Sequence, residues 1–150
     1  MAGRRVRCVS QLAAALALCH LVGPEAEPRG EIYSCALTRD QAAKLFAEMS
    51  AMLGKHPELD DRCNIIRFTK QIEVLTGDGE GSIYAALSAD AGSKMGLSPS
   101  FVVYDELGSA PNRDLYDAMD TASGARNNPL MMVISTQAAA DHAVMSELID

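Results

Sequence analysis

Tryptophan is absent from this 150-residue chain, and aromatic residues make up only 5% of it. The four cysteines, Cys8, Cys19, Cys35 and Cys63, form no CxxC pair, and the histidines stand apart. That spacing excludes a zinc site and a disulfide framework, and points to reduced thiols in a cytosolic protein. Positive charge is in deficit, with a formal net charge of −7. A generic nucleic-acid binder is excluded, and any nucleic acid would need a local basic patch or another chain. No apolar run is long enough to cross a bilayer, because Leu12 to Val22 is too short. Internal repeats and low-complexity tracts are also missing. The length fits one domain with a real core.

The Arg-rich start (Met1 to Arg7) followed by an apolar stretch has the look of a secretory signal. The alternative is the first helix of an α/β domain, beginning near Ser10 and stopped by Gly23-Pro24. The internal helix is preferred, since the segments downstream need a first helix to pack on.

The pattern then predicts alternating elements. A polar loop, Gly23 to Gly30, leads to a strand at Glu31–Ala36. A helix capped by Thr38 or Asp40 runs to about Leu53, with Ala42, Leu45, Phe46, Met49, Met52 and Leu53 recurring at helical spacing. That stripe reads as core rather than as a cofactor site. Ile65–Phe68 and Ile72–Leu75 read as short strands, possibly a hairpin. The Gly77-to-Ser82 loop does not fit GxGxxG and carries two acids, so it reads as a turn. Further strands are expected at Ile83–Leu87, from Phe101 and at Leu130–Ile134, with a helix from Pro111 to about Thr121. Such alternation implies a mostly parallel sheet with helices on both faces.

The richest segment is Phe101-Val102-Val103-Tyr104-Asp105-Glu106. An apolar strand runs straight into two carboxylates, at the sheet edge where α/β proteins bind ligands. Asp105 is expected to help hold Mg²⁺, and Glu106 to orient or deprotonate an attacking water. The strand ending in Ser135-Thr136-Gln137 places further polar residues at the same end. This is the layout of a P-loop ATPase that uses a catalytic glutamate. The bland alternatives are a helix N-terminus favouring negative charge at Asp105-Glu106, and a simple turn cap at Ser135-Thr136.

Four segments together resemble the ATPase domain of the large terminase subunit of tailed bacteriophages. They are Phe101 to Gly108, Asn112 to Ala118, Gly124-Ala125-Arg126 and Val133 to Ala138. The resemblance covers roughly Ser10 to Asp150. It implies an α/β P-loop NTPase of the ASCE type, a three-layer sandwich that is incomplete here. It also implies an ATP-driven motor packaging double-stranded DNA into a procapsid, in the cytoplasm of a bacterial host. The implied partners are the portal and procapsid, the small terminase subunit and other large subunits in a ring, with no membrane. Carried over by position, Asp105 resembles the Mg²⁺-binding acid and Glu106 the catalytic glutamate. Ser135, Thr136 and Gln137 resemble the coupling motif, and Gln41 lies in a stretch near the nucleotide. Lys94 and Arg126 are candidate phosphate contacts, against the alternative of solvated loop residues.

The phosphate-binding loop breaks the pattern. Its form is GxxxxGK[ST], and the matching window runs from Gly3 to Ser10. Gly3 and Ser10 fit, and Ser10 would share Mg²⁺ with Asp105. Cys8 replaces the glycine that lets backbone N–H groups approach phosphates, and Val9 replaces the lysine. Residues 1–9 are thus expected to be an atypical N-terminus, residues 10–150 a partial ATPase domain, and the nuclease domain absent. A missing strand before the loop would expose sheet edges and give a marginally stable monomer. The alternatives are a non-catalytic remnant acting as an interaction module, a DExx-type helicase fragment, and a small secreted protein.

Overall fold

The computed structural model describes residues 2–88, 96–105 and 114–134, with residues 2–8 described by their backbone alone. The first helix, α1 (Ala2–Leu21), starts two turns earlier than the sequence pattern suggests. Val6 to Ser10 are ordinary helix formers, and none carries the glycine flexibility that would hold a loop open there. Strand β1 (Glu31–Ala36) follows the expected span. Helix α2 (Arg39–Gly54) is capped by Thr38, whose side chain accepts from the Gln41 N–H at 3.2 Å. A short helix, α3 (Pro57–Asp60), opens on its proline.

The hairpin exists, but its first strand is shifted. Strand β2 (Cys63–Ile66) ends before Arg67, and β3 (Gln71–Val74) pairs with it antiparallel. Lys70 sits at φ 57, which turns the chain at Arg67–Lys70 and removes Phe68 from the strand. Strands β4 (Ile83–Ser88), β5 (Phe101–Asp105) and β6 (Leu130–Ile134) match expectation, with α4 (Asp114–Ser123) between the last two.

Among the described residues, six strands run in the order β2-β3-β4-β1-β5-β6. β1 pairs parallel with β4 and β5, and β5 parallel with β6, while β3 joins β4 antiparallel. Alternating residues of the central strands feed two cores. Ile32, Phe101 and Val103 face α1 and α2, where Ala17, Leu21, Met49 and Leu53 are fully buried. Tyr33, Cys35, Val102 and Tyr104 face α4, through Leu115 and Met119. His20 stacks on Phe101 with ring centroids 4.4 Å apart. The expected layered sandwich is therefore present: helices on both faces of a mostly parallel sheet.

The turn before β4 is packed tightly against the end of α1. Gly79 has φ +78, and a Cβ there would lie 2.3 Å from the Leu21 carbonyl oxygen. Gly79→Ala combines left-handed strain with that collision, and is expected to destabilise by about 2 kcal/mol or more. Gly54→Ala meets nothing within 4 Å and is expected to be neutral or stabilising by up to about 1 kcal/mol. Denaturant titration of both variants checks the contrast.

Buried titratable groups set the pH range of stability. Burial lowers the pKa of His20 from its ordinary 6.5, with Glu25 and Glu27 opposing. The folded form therefore prefers neutral His20, and stability is lost as pH falls below 6.5. Burial pushes Cys35 and Tyr104 up to about 12 each, and raises Tyr33 and Tyr84 as well. Above the ordinary values of 9.0 and 10.0 the unfolded chain loses protons that the native state retains. Stability therefore falls as pH rises beyond about 9. Thermal melts across pH should show a plateau between these limits; a midpoint that keeps rising above pH 10 would refute the assignment.

Candidate nucleotide site

All four parallel strands, β4, β1, β5 and β6, end on one edge of the sheet. Asp105 is the last residue of β5, held in register between β1 and β6, and pairs with Ile134 at the end of β6. Helix α2 starts just after β1 and brings Gln41 to the same edge, while α1 carries Ser10 across it. The outcome is one narrow cleft lined by Ser10, Gln41, Lys44, Cys35 and Asp105, among others. Three of the residues expected from sequence, Ser10, Gln41 and Asp105, are thus brought together by three separate elements.

The floor of the cleft is apolar and tightly bonded. Ser34 donates to the Ala42 carbonyl at 3.0 Å and shares a 2.6 Å hydrogen bond with Tyr84. Burial keeps the Cys35 thiol protonated, with its pKa at about 12. Against this background Gln41 stands out: its Oε1 is buried with no hydrogen-bond partner among the described residues. A buried acceptor left unpaired costs about 1–3 kcal/mol, so this atom is suited to receive a donor from an occupant. The cleft itself holds about 20 Å³, space for a single water. A nucleotide has to lie against the open edge rather than inside.

The helical path of residues 2–10 bears directly on phosphate binding. A phosphate loop works by presenting unbonded backbone N–H groups ahead of a helix. Here Ser10 lies about 12 Å along the α1 axis from Ala2. The N–H groups of Val6 to Ser10 are inside the helix, where each is directed at the carbonyl four residues earlier. Ser10 lines the cleft, but among the described residues its own segment offers no loop of free amides there.

Arg126 is placed elsewhere. It lies at the opposite edge of the sheet, separated from Asp105 by the length of β5, about 13 Å at 3.3 Å per residue. Its Nε donates to the Ser98 carbonyl and hydroxyl at 2.8 and 3.1 Å. Its Nη2 donates to the Arg29 carbonyl at 2.9 Å and to Glu31 Oε2 at 3.2 Å, and its Nη1 lies 3.7 Å from Glu27. Glu31 in turn accepts from the Ser98 N–H at 3.2 Å and from the Tyr33 hydroxyl at 2.7 Å. The sequence offered Arg126 as a phosphate contact; here its guanidinium fastens the starts of β1 and β5 to the α4–β6 connection. Lys94, Glu106, Ser135, Thr136 and Gln137 lie outside the described residues.

Sequence reasoning missed Lys44 and Cys35 as cleft-lining residues. The signal for Lys44 was its i+3 spacing from Gln41, which puts both on one helix face. Cys35 carried no such signal. Among the described residues no group of three or more His, Cys, Asp or Glu side chains is placed to hold a metal ion, and no helix is long and apolar enough to cross a membrane.

Residues 4–150 match the family model for the terminase large subunit, ATPase domain. The chain is 43% identical over 141 residues to the terminase large subunit of Enterobacteria phage HK97, covering 93% of this chain and 27% of that protein. The solved structure of the HK97 large terminase superposes with a TM-score of 0.81 at 41% identity, over 93% of this chain and 29% of that one. The ATPase domain of the large terminase of Thermus phage P74-26 shares the fold, with a TM-score of 0.69 at 20% identity, over 87% of this chain and 56% of that one. The chain therefore spans less than a third of the length of its HK97 relative.

The Arg126 network makes its own prediction. The Arg126 and Glu31 side chains are mostly buried, at 17% and 23% exposure. Arg126→Ala strands the Glu31 carboxylate and is expected to cost about 2–3 kcal/mol, less than a fully buried pair. Arg126→Lys should recover only part of this, because an ammonium cannot fork across Ser98, Arg29 and Glu31. Urea titration reads both; a loss below about 0.5 kcal/mol for the alanine variant would sink the clamp.

Proposed function

This chain belongs to the terminase large-subunit ATPase family, and we propose that it forms the acidic half of the nucleotide site of a motor that uses ATP to drive double-stranded DNA into a viral procapsid. The convergence of Ser10, Gln41 and Asp105 on one cleft, at the edge where the parallel strands end, is the observation that carries this reading. Their donor set suits Mg²⁺, which takes one or two protein oxygens and otherwise keeps waters and phosphates. Asp105 and Ser10 would supply those oxygens, and the ion would neutralise charge on the transferring phosphoryl group. Glu106, the next residue in the chain, would draw a proton from the attacking water. Gln41 would offer its unpaired carbonyl oxygen to a water or hydroxyl at the cleft. Ser135, Thr136 and Gln137 would couple the state of the phosphate to movement. Lys94 would contribute charge to a neighbouring subunit's nucleotide within a ring of large subunits. The portal, the procapsid and the small terminase subunit complete the set of partners.

A second reading is favoured by one specific observation. Gly3 to Ser10 is helical, and Cys8 and Val9 stand where a phosphate loop needs Gly and Lys. On this reading residues 1–9 replace that loop, and residues 10–150 keep the fold without strong nucleotide affinity, as an interaction module.

Calorimetry with Mg·ATP separates the two. The native chain is expected to bind weakly. Cys8→Gly with Val9→Lys should tighten binding at least about tenfold, since one charge-assisted hydrogen bond contributes about 1.5–3 kcal/mol. Equal affinities for the two proteins would refute the defect assigned to residues 3–10. In the tighter-binding variant, Glu106→Gln should slow hydrolysis about 10²- to 10⁴-fold while leaving affinity unchanged. An unaltered turnover would remove Glu106 from the catalytic role.

A further inference from the structure

Helix α1 carries apolar side chains on both of its sides. Inward, Ala13, Ala14, Ala17 and Leu21 are fully buried in the core. Outward, Val9, Leu12 and Leu16 are exposed at 40, 56 and 36%. They recur at i, i+3 and i+7, and half-buried Cys19 continues the series at i+10. Alternating steps of three and four are the spacing of a helix-pairing seam. No Asp, Glu, Lys or Arg occurs from Cys8 to Pro24, so no charge holds this face in water. A helix that is apolar all round is normally covered on every side. Exposed Ala15 beside the stripe leaves room for a second helix to approach closely.

The distribution of charge selects the occupant. By sequence, the first two turns of α1 carry Arg4, Arg5 and Arg7, and the loop just past its end carries Glu25, which is exposed. A second α1 laid antiparallel on the first brings the basic start of each helix beside the acidic exit of the other. Laid parallel, it sets like charge against like at both ends. The stripe is also symmetric about the level of Ala14. With a two-fold axis there, Leu12 of each copy meets Leu16 of the other, and Val9 meets Cys19. Such a patch is self-complementary, as a two-fold interface requires.

We propose that the outer stripe of α1 pairs antiparallel with the α1 of a second copy of this chain, giving a two-fold dimer. The pairing covers Val9, Leu12 and Leu16 of both copies, and attraction between the helix ends sets its direction. Ser10 lies on the inward side of the helix, at the Asp105 cleft, so the seam and the cleft use different faces. The inference stands on α1 alone and does not depend on the nucleotide reading.

Analytical sedimentation of the 150-residue chain tests the pairing. The native mass should rise with concentration toward twice the 16.0 kDa of one chain. Leu12→Gln with Leu16→Gln should raise the dissociation constant at least about a hundredfold, since two apolar side chains are lost from each copy. Glu25→Lys should weaken the dimer a few-fold at low salt, and the difference should vanish near about 0.5 M salt. Cross-linking reads the direction. In a Cys8→Ser chain, Val9→Cys should form an interchain disulfide with Cys19 under mild oxidation. Cys8→Ser alone should form none through Cys19, because antiparallel pairing keeps the two copies of Cys19 about 15 Å apart along the axis. A native chain that stays monomeric up to about 0.1 mM, undiminished association in the double leucine variant, or a Cys19-to-Cys19 cross-link overturns the proposal. Uptake of the native chain by phosphatidylserine vesicles while it sediments as a monomer assigns the stripe to a lipid surface, and overturns it equally.

Discussion

The parallel pairing of β5 with β1 on one side and β6 on the other governs this structure. Six backbone positions of β1 align with β4 and four with β5, and five of β5 align with β6. Only because β5 is fixed on both edges does its last residue, Asp105, arrive beside the first turn of α2 and the middle of α1. The apolar alternation of Phe101 to Tyr104 then secures the strand to helices on both faces. A one-residue slip would send Phe101 and Val103 to the α4 side and carry Asp105 away from the cleft.

The two ends of the sheet have different characters. At the start of the strands, polar groups are satisfied in a dense network centred on Arg126 and Glu31. At the finish of the strands, the Gln41 carbonyl oxygen is left unmatched among the described residues. Order at one end supports openness at the other. Such a division is expected of a fold whose ligands lie beyond the carboxyl ends of its strands.

The central strands were readable because buried parallel strands are written as short apolar runs, and Phe101–Tyr104 and Leu130–Ile134 have that form. Helix α2 was readable from its Thr38 cap and the 3.6-residue recurrence of Leu45, Phe46, Met49 and Leu53. The start of α1 was harder, since a comparison with the phosphate-loop pattern drew attention to a loop while the local propensities of Val6 to Ser10 allow a helix. The hairpin register slipped by two residues because Phe68 has strand propensity and nothing local announces a left-handed Lys70. At the site, the Asp105 neighbourhood was legible from chemistry at a strand end. The location of Arg126 was not, because it depends on where the α4–β6 connection passes relative to Glu31, a contact between residues 95 apart in the chain.

The helical course of residues 2–10 has a consequence for how any occupant of the Asp105 edge would be bound. Amides inside a helix become available to a ligand only when that segment opens. Apparent affinity is then the intrinsic affinity scaled by the fraction of molecules already opened. The first two turns of α1 would act as a dial on occupancy, set by helix propensity. Substitutions that never touch the ligand would move that dial, and a partner that loosened the same two turns would act as an effector without reaching the cleft.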